Sequence, residues 1–303
     1  MSRPFALFAL LIGGMFAGPP AQAEIAEFFI GRDQRTHIPE SGHGSGPYSG
    51  LPNPNEDRVT FLYAHTYGPP ADGVWPDWTV NHYHSKGVYS YTGEALGEDT
   101  AVNDYNGTFG TSNILPERPN DRQILMKPGD GAFAGMLRTG LSNELDFNNL
   151  RIRSVDSLAS FAEGTPEEIL FNSSGGRWNG SMEGTNIQMH LLGISSGLTV
   201  RDSDGNVLMA NAGDHIDLGA GDEIDFTPIF AVDGDVAAGS QFDAIFSLSD
   251  TNGLFADGGR FMFQVTAVPE PSSVGLLALG LVGVAVAGRR RHLRKRKSAT
   301  TAA

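Results

Sequence analysis

Seven histidines lie between residues 24 and 267, and two of them, His82 and His84, are one residue apart. On an extended strand, residues i and i+2 project to the same face, about 7 Å apart along the chain. Two imidazoles so placed can converge on one metal ion. His65 belongs to an upstream run, Val59 to Tyr67, in phase with Val59, Phe61 and Tyr63. Antiparallel pairing of the two runs would bring it opposite the pair. His190, in the run NIQMHLL, is a fourth candidate ligand from a distant strand. Three or four imidazoles, with or without a carboxylate, suit Zn²⁺, with Cu²⁺ and Ni²⁺ as chemical competitors. Protonation of imidazole would weaken such a site below about pH 6. His37, His43 and His215 lack this spacing and read as ordinary hydrogen-bonded residues.

Other chemistries find less support. The chain has no cysteine, which excludes thiol catalysis and thiolate zinc sites. No G-x-S-x-G, Walker A, H-E-x-x-H or G-x-G-x-x-G stands in a credible context. A zinc hydrolase built on His65, His82 and His84 is a minority alternative, since no general base is singled out. Asp202-Ser-Asp204-Gly-Asn206 has part of a calcium-loop pattern, but the sixth-place Gly and twelfth-place Glu are out of register. A hairpin turn is the better reading. Trp75, Trp78, Tyr83, Tyr89 and Tyr91 could stack on sugars, although core packing explains aromatics equally well.

The elements that must position these residues are strands. Val59 to Tyr67 and His82 to Tyr91 are aromatic and β-branched. Further runs follow at 133–139, 150–155, 186–194, 198–201, 207–210, 215–218, 223–230, 241–249 and 260–267, separated by Gly/Asn/Asp turns. Short strands at even spacing predict an all-β fold, a β-sandwich with long loops. Residues 31–57 read as a turn-rich arm, and Pro166-Glu-Glu as one short helical turn. The expected organisation is a signal peptide at 1–23, an ectodomain at 24–267 and a sorting and anchor segment at 268–303. A break near 100–130 would divide the ectodomain into two subdomains.

Charge narrows the partners. Without Arg3 and the seven tail cations 13 basic residues remain; without Glu270, 34 acidic ones remain, so residues 24–267 carry a net −21. Such a surface attracts cations and argues against nucleic acid as a partner.

Both ends read as targeting segments. Arg3, the apolar run Phe5 to Ala17 and Ala21-Gln-Ala23 make up an export signal. At the other end, Pro269-Glu-Pro271 precedes fourteen uncharged residues, Val274 to Ala287, and then Arg289, Arg290, Arg291, Arg294, Lys295, Arg296 and Lys297. As a helix the apolar run spans roughly 21 Å, short of the roughly 30 Å hydrocarbon core. It is expected to be a marginal transmembrane helix with its basic end cytoplasmic. This order resembles the PEP-CTERM sorting signal of exported bacterial proteins. The resemblance implies a membrane protease, exosortase, as partner and the cell envelope, cell surface or extracellular matrix as location.

The segments GLPNPNEDRVTFLYAHTY, NHYHSKGVYSYTG and MHLLGISSGLTVRDSDGNVL resemble a PEP-CTERM family repressed by the zinc-uptake regulator. That resemblance implies zinc capture or homeostasis, with His65, His82 and His84 matching the family's histidines. The expectation is therefore a non-enzymatic, surface-sorted protein holding Zn²⁺ through His65, His82, His84 and His190. The alternative is a structural or adhesive matrix protein with no metal requirement.

Overall fold

Strand-forming runs separated by tight turns need a second surface on which to bury their apolar faces. The computed structural model describes residues 28–40, 48–65, 82–92, 100–103, 114–115, 124–141 and 150–268. The side chains of His65, Thr92, residues 100–103 and Ile114 fall outside that description. So do both targeting segments, His43 and the loop with Trp75 and Trp78.

One sheet has the order β14-β9-β1-β2-β3: β14 (Asp225–Phe226), β9 (Ile152–Ser154), β1 (Phe28–Arg32), β2 (Val59–His65) and β3 (His82–Lys86). The larger sheet contains β12 (Val207–Met209), β11 (Thr199–Arg201), β15 (Ile229–Asp233), β8 (Met136–Arg138), β7 (Ile124–Pro128), β17 (Phe261–Ala267), β16 (Gln241–Asp250), β10 (Asn186–Ile194) and β13 (His215–Ala220), in that order. A short β6 (Ile114–Leu115) also pairs with β17, while β4 (Tyr89–Thr92) and β5 (Thr100–Asn103) form a separate ribbon. The all-β expectation holds. The large sheet is more curled than a sandwich reading implies: its end strands β12 and β13 touch, giving a nearly barrel-like shape.

Aromatic rings join the two sheets. Phe61 of β2 stacks on Phe261 of β17 at 4.2 Å between centroids. Phe28 of β1 meets Phe263 edge-on at 5.3 Å. Phe230 and Phe246 extend this cluster through the large sheet. Contacts of this kind add about 0.5–1.5 kcal/mol each beyond the area they bury. The opposite face of the small sheet carries Phe29, Leu62 and Tyr83. It is covered by a 3-10 turn, Val155–Leu158, and by α1 (Pro166–Phe171) and α2 (Ser173–Gly176). Gly31 makes that approach possible, since a Cβ there would come within 2.9 Å of Val155. Thr165 caps α1 by accepting from the Glu168 amide, with Pro166 in the first turn.

Three readings are corrected. His82 to Tyr91 is two strands in two sheets. Gly87, at φ +65°, breaks the run, and a Cβ there would lie 2.5 Å from the Gly259 carbonyl oxygen. Residues 223–230 also divide, at Thr227-Pro228: β14 pairs with β9 in the small sheet, and β15 with β11 and β8 in the large one. Proline has no amide to donate and interrupts the ladder there. Finally, Phe28–Arg32 is an interior strand of the small sheet, paired on both sides, where the sequence was read as an arm from residue 31.

With no cross-link available, stability rests on this ring cluster. Phe61→Ala is expected to cost about 3–5 kcal/mol in urea unfolding of the full-length chain. Exposed Val207→Ala should change stability by no more than about 0.5 kcal/mol. Equal effects would remove the cluster from its central role.

Candidate functional site

β3 is the outermost strand of the small sheet among the described residues. Its register with β2 places Lys86 opposite Phe61, His84 opposite Tyr63 and His82 opposite His65. Opposed residues share a face, and Phe61 fixes that face as the one turned toward the large sheet. Tyr83 points the other way, is buried, and meets Phe29 at 5.5 Å. Alternation therefore sets both His82 and His84 at the rim of the inter-sheet space, each half-buried.

The two imidazoles face one another. Their ring centroids are 4.7 Å apart and their Nε2 atoms 2.8 Å apart. A hydrogen bond at that separation needs one Nε2 to donate and the other to accept. His84 also meets the Tyr63 ring edge-on at 6.4 Å. This is the convergence the His-x-His spacing implies. The backbone of His65 stands at the register position opposite His82, while its side chain lies outside the described residues.

His190 is elsewhere. It sits on β10 in the large sheet, paired in register with His215 of β13, the rings 5.9 Å apart. Its Nε2 lies 2.7 Å from the Ser249 hydroxyl. His37 is exposed and bonded to the Thr36 hydroxyl through Nδ1. Among the described residues no three His, Asp or Glu side chains gather as a metal-holding group. The Asp202–Asn206 segment is a hairpin turn between β11 and β12, in which the Asp202 carboxylate accepts from the amides of Asp204 and Asn206.

Sequence reasoning missed a polar network under the Pro-Asn-Pro-Asn motif at residues 52–55. Asp33 is fully buried and accepts both Nε and Nη2 of Arg177, 144 residues away, with the Nε contact at 2.9 Å. The Asn53 amide donates to Asp33 at 2.8 Å and to the Arg35 carbonyl at 2.7 Å. Asn55 holds Tyr89 like a strand partner, donating to its carbonyl at 2.8 Å and accepting its amide at 2.6 Å. The available signal was chemical: an aspartate directly after an apolar strand must find a cation if it is buried. Lys86, buried on the same face as His84, carried no sequence signal.

Burial holds the pKa of His190 below its ordinary value, the neighbouring His215 adds to this, and Asp257 opposes it. The folded state therefore binds fewer protons than the unfolded chain between the lowered value and the ordinary one, near 6.5. The stability His190 contributes is whole above that window and is lost as pH falls through it. In an NMR titration His190 should protonate at lower pH than an ordinary histidine, and His215→Gln should move it upward. Titration at or above the ordinary value would contradict this.

The sequence matches a protein-family model described as the PEP-CTERM protein-sorting motif over residues 267–291. No curated protein and no solved structure matches the chain. The matched stretch begins at the last residue of β17, beside which the Val268 amide bonds the Met126 carbonyl at 2.9 Å. The sorting motif thus starts where the described β-structure ends, and a motif of this kind indicates export and sorting to the cell surface through exosortase.

Proposed function

We propose that this surface-sorted protein captures a divalent transition metal, zinc foremost, at His82 and His84, with His65 as third ligand. The observation that carries the reading is the pair of facing Nε2 atoms, 2.8 Å apart on a half-buried strand edge. A tetrahedral ion with bonds of about 2.0–2.1 Å holds its nitrogen ligands roughly 3.3 Å apart. The two rings need to part by only about half an ångström to hold one. The donor set fits: neutral imidazoles suit zinc, and binding requires a change of tautomer in one ring and no charge burial by the ligands themselves.

The −21 ectodomain supports the reading by raising the local cation concentration. The resemblance to zinc-regulated PEP-CTERM proteins favours zinc over copper or nickel, and a role in capture or homeostasis over catalysis. His190 is left out of the ligand set, because it is engaged with His215 and Ser249 on another sheet. Cleavage near Pro269-Glu-Pro271 would leave every described strand on the released side, so capture would outlast detachment from the membrane.

Zinc calorimetry on the full-length chain tests this. His82→Ala/His84→Ala should weaken binding at least about a hundredfold, roughly 2.7 kcal/mol. His65→Ala should weaken it substantially, and His190→Ala should leave it unchanged. Equal affinities for wild type and the double variant would remove the proposal.

A further inference from the structure

The Asp33–Arg177 network forms one wall of a surface cleft of about 400 Å³, within the range of small-molecule sites (about 300–1,000 Å³). Arg35, Arg177, Tyr48, Tyr89 and Tyr91 line it. The cleft is distinct from the histidine pair.

Its charge runs against the rest of the ectodomain. Arg177 takes both oxygens of the buried Asp33 carboxylate, which Arg35 meets through its backbone amide at 3.1 Å. Arg35 reaches a neutral acceptor, the Ser174 carbonyl, at 3.4 Å. Burial and the nearby Arg177 both disfavour its charged form, and Asp33 only partly offsets them. A second carboxylate entering the cleft would relieve that imbalance through a charge-assisted contact.

The aromatic side of the cleft is held in place. Asn55 fixes the Tyr89 backbone, and Arg58 covers one face of the Tyr89 ring at 4.2 Å. The Tyr91 hydroxyl donates to the Pro52 carbonyl at 2.9 Å, and its ring lies 5.6 Å from that of Tyr48. Fixed tyrosines offer flat apolar faces with polar rims, which suit the C–H face of a sugar ring. A cation beside such faces selects a sugar that carries a carboxylate.

We infer that this cleft binds an acidic saccharide, a uronate residue whose ring packs on Tyr89 and Tyr91 and whose carboxylate meets Arg35. The reading is independent of metal capture, and binding should persist in chelator.

The test is calorimetry of the full-length chain with trigalacturonate in chelator, beside its neutral methyl ester. The acid should bind, and the ester should bind at least about tenfold more weakly. Arg35→Gln should cost a similar factor and flatten the salt dependence, while thermal unfolding stays unchanged. Should Arg35→Gln fail to fold, Tyr91→Leu provides the second arm, with the same loss expected. Absence of binding, equal binding of acid and ester, or insensitivity to both variants would overturn the inference.

Discussion

The ring cluster between the two sheets is the contact on which the other features depend. Phe61 on Phe261 and Phe28 on Phe263 fix how the small sheet lies against the large one. With no cysteine in the chain, nothing covalent holds that arrangement. Once Phe61 points inward, pairing and alternation decide where every residue of β3 goes. Lys86 and His84 follow it inward, and Tyr83 turns out to meet Phe29. The histidine pair is thus an outcome of sheet geometry, set by a phenylalanine more than twenty positions earlier.

The strand edge and the cleft illustrate two ways of stabilising polar groups next to a core. At the edge, two half-buried imidazoles bond one another through their Nε2 atoms. Under the Pro-Asn-Pro-Asn turn, full burial of Asp33 requires a bidentate guanidinium and an amide donor together. Removing one member there would leave a buried charge uncompensated, a far larger penalty than loss of an exposed pair. The same network aligns the backbones of Tyr89 and Arg35, so the structural wall holds two of the proposed saccharide contacts in place. The sorting motif is joined to this body at β17, an interior strand of the large sheet.

Local patterns were legible where local physics decided the outcome. Asn186–Ile194 alternates buried and half-buried residues over most of its length and forms a strand with the bounds its sequence suggests. Pro166-Glu-Glu opens a helix because Thr165 precedes it as a cap. The convergence of His82 and His84 also follows from a two-residue period. What was hidden depended on partners distant in sequence. Phe28–Arg32 is short and merges into a glycine-rich arm, and only pairing with β2 and β9 makes it a strand. The division of residues 223–230 between sheets rests on Pro228 and on two different neighbours. Asp33 and Arg177 lie too far apart in the chain for either to advertise the other.

X-ray absorption of the full-length chain loaded with one equivalent of zinc tests the central claim most directly. The account predicts two or three imidazole nitrogens at about 2.0–2.1 Å around the ion, with that signature lost in His82→Ala/His84→Ala. A shell made of oxygen alone, or an imidazole shell that survives the double variant, would contradict it.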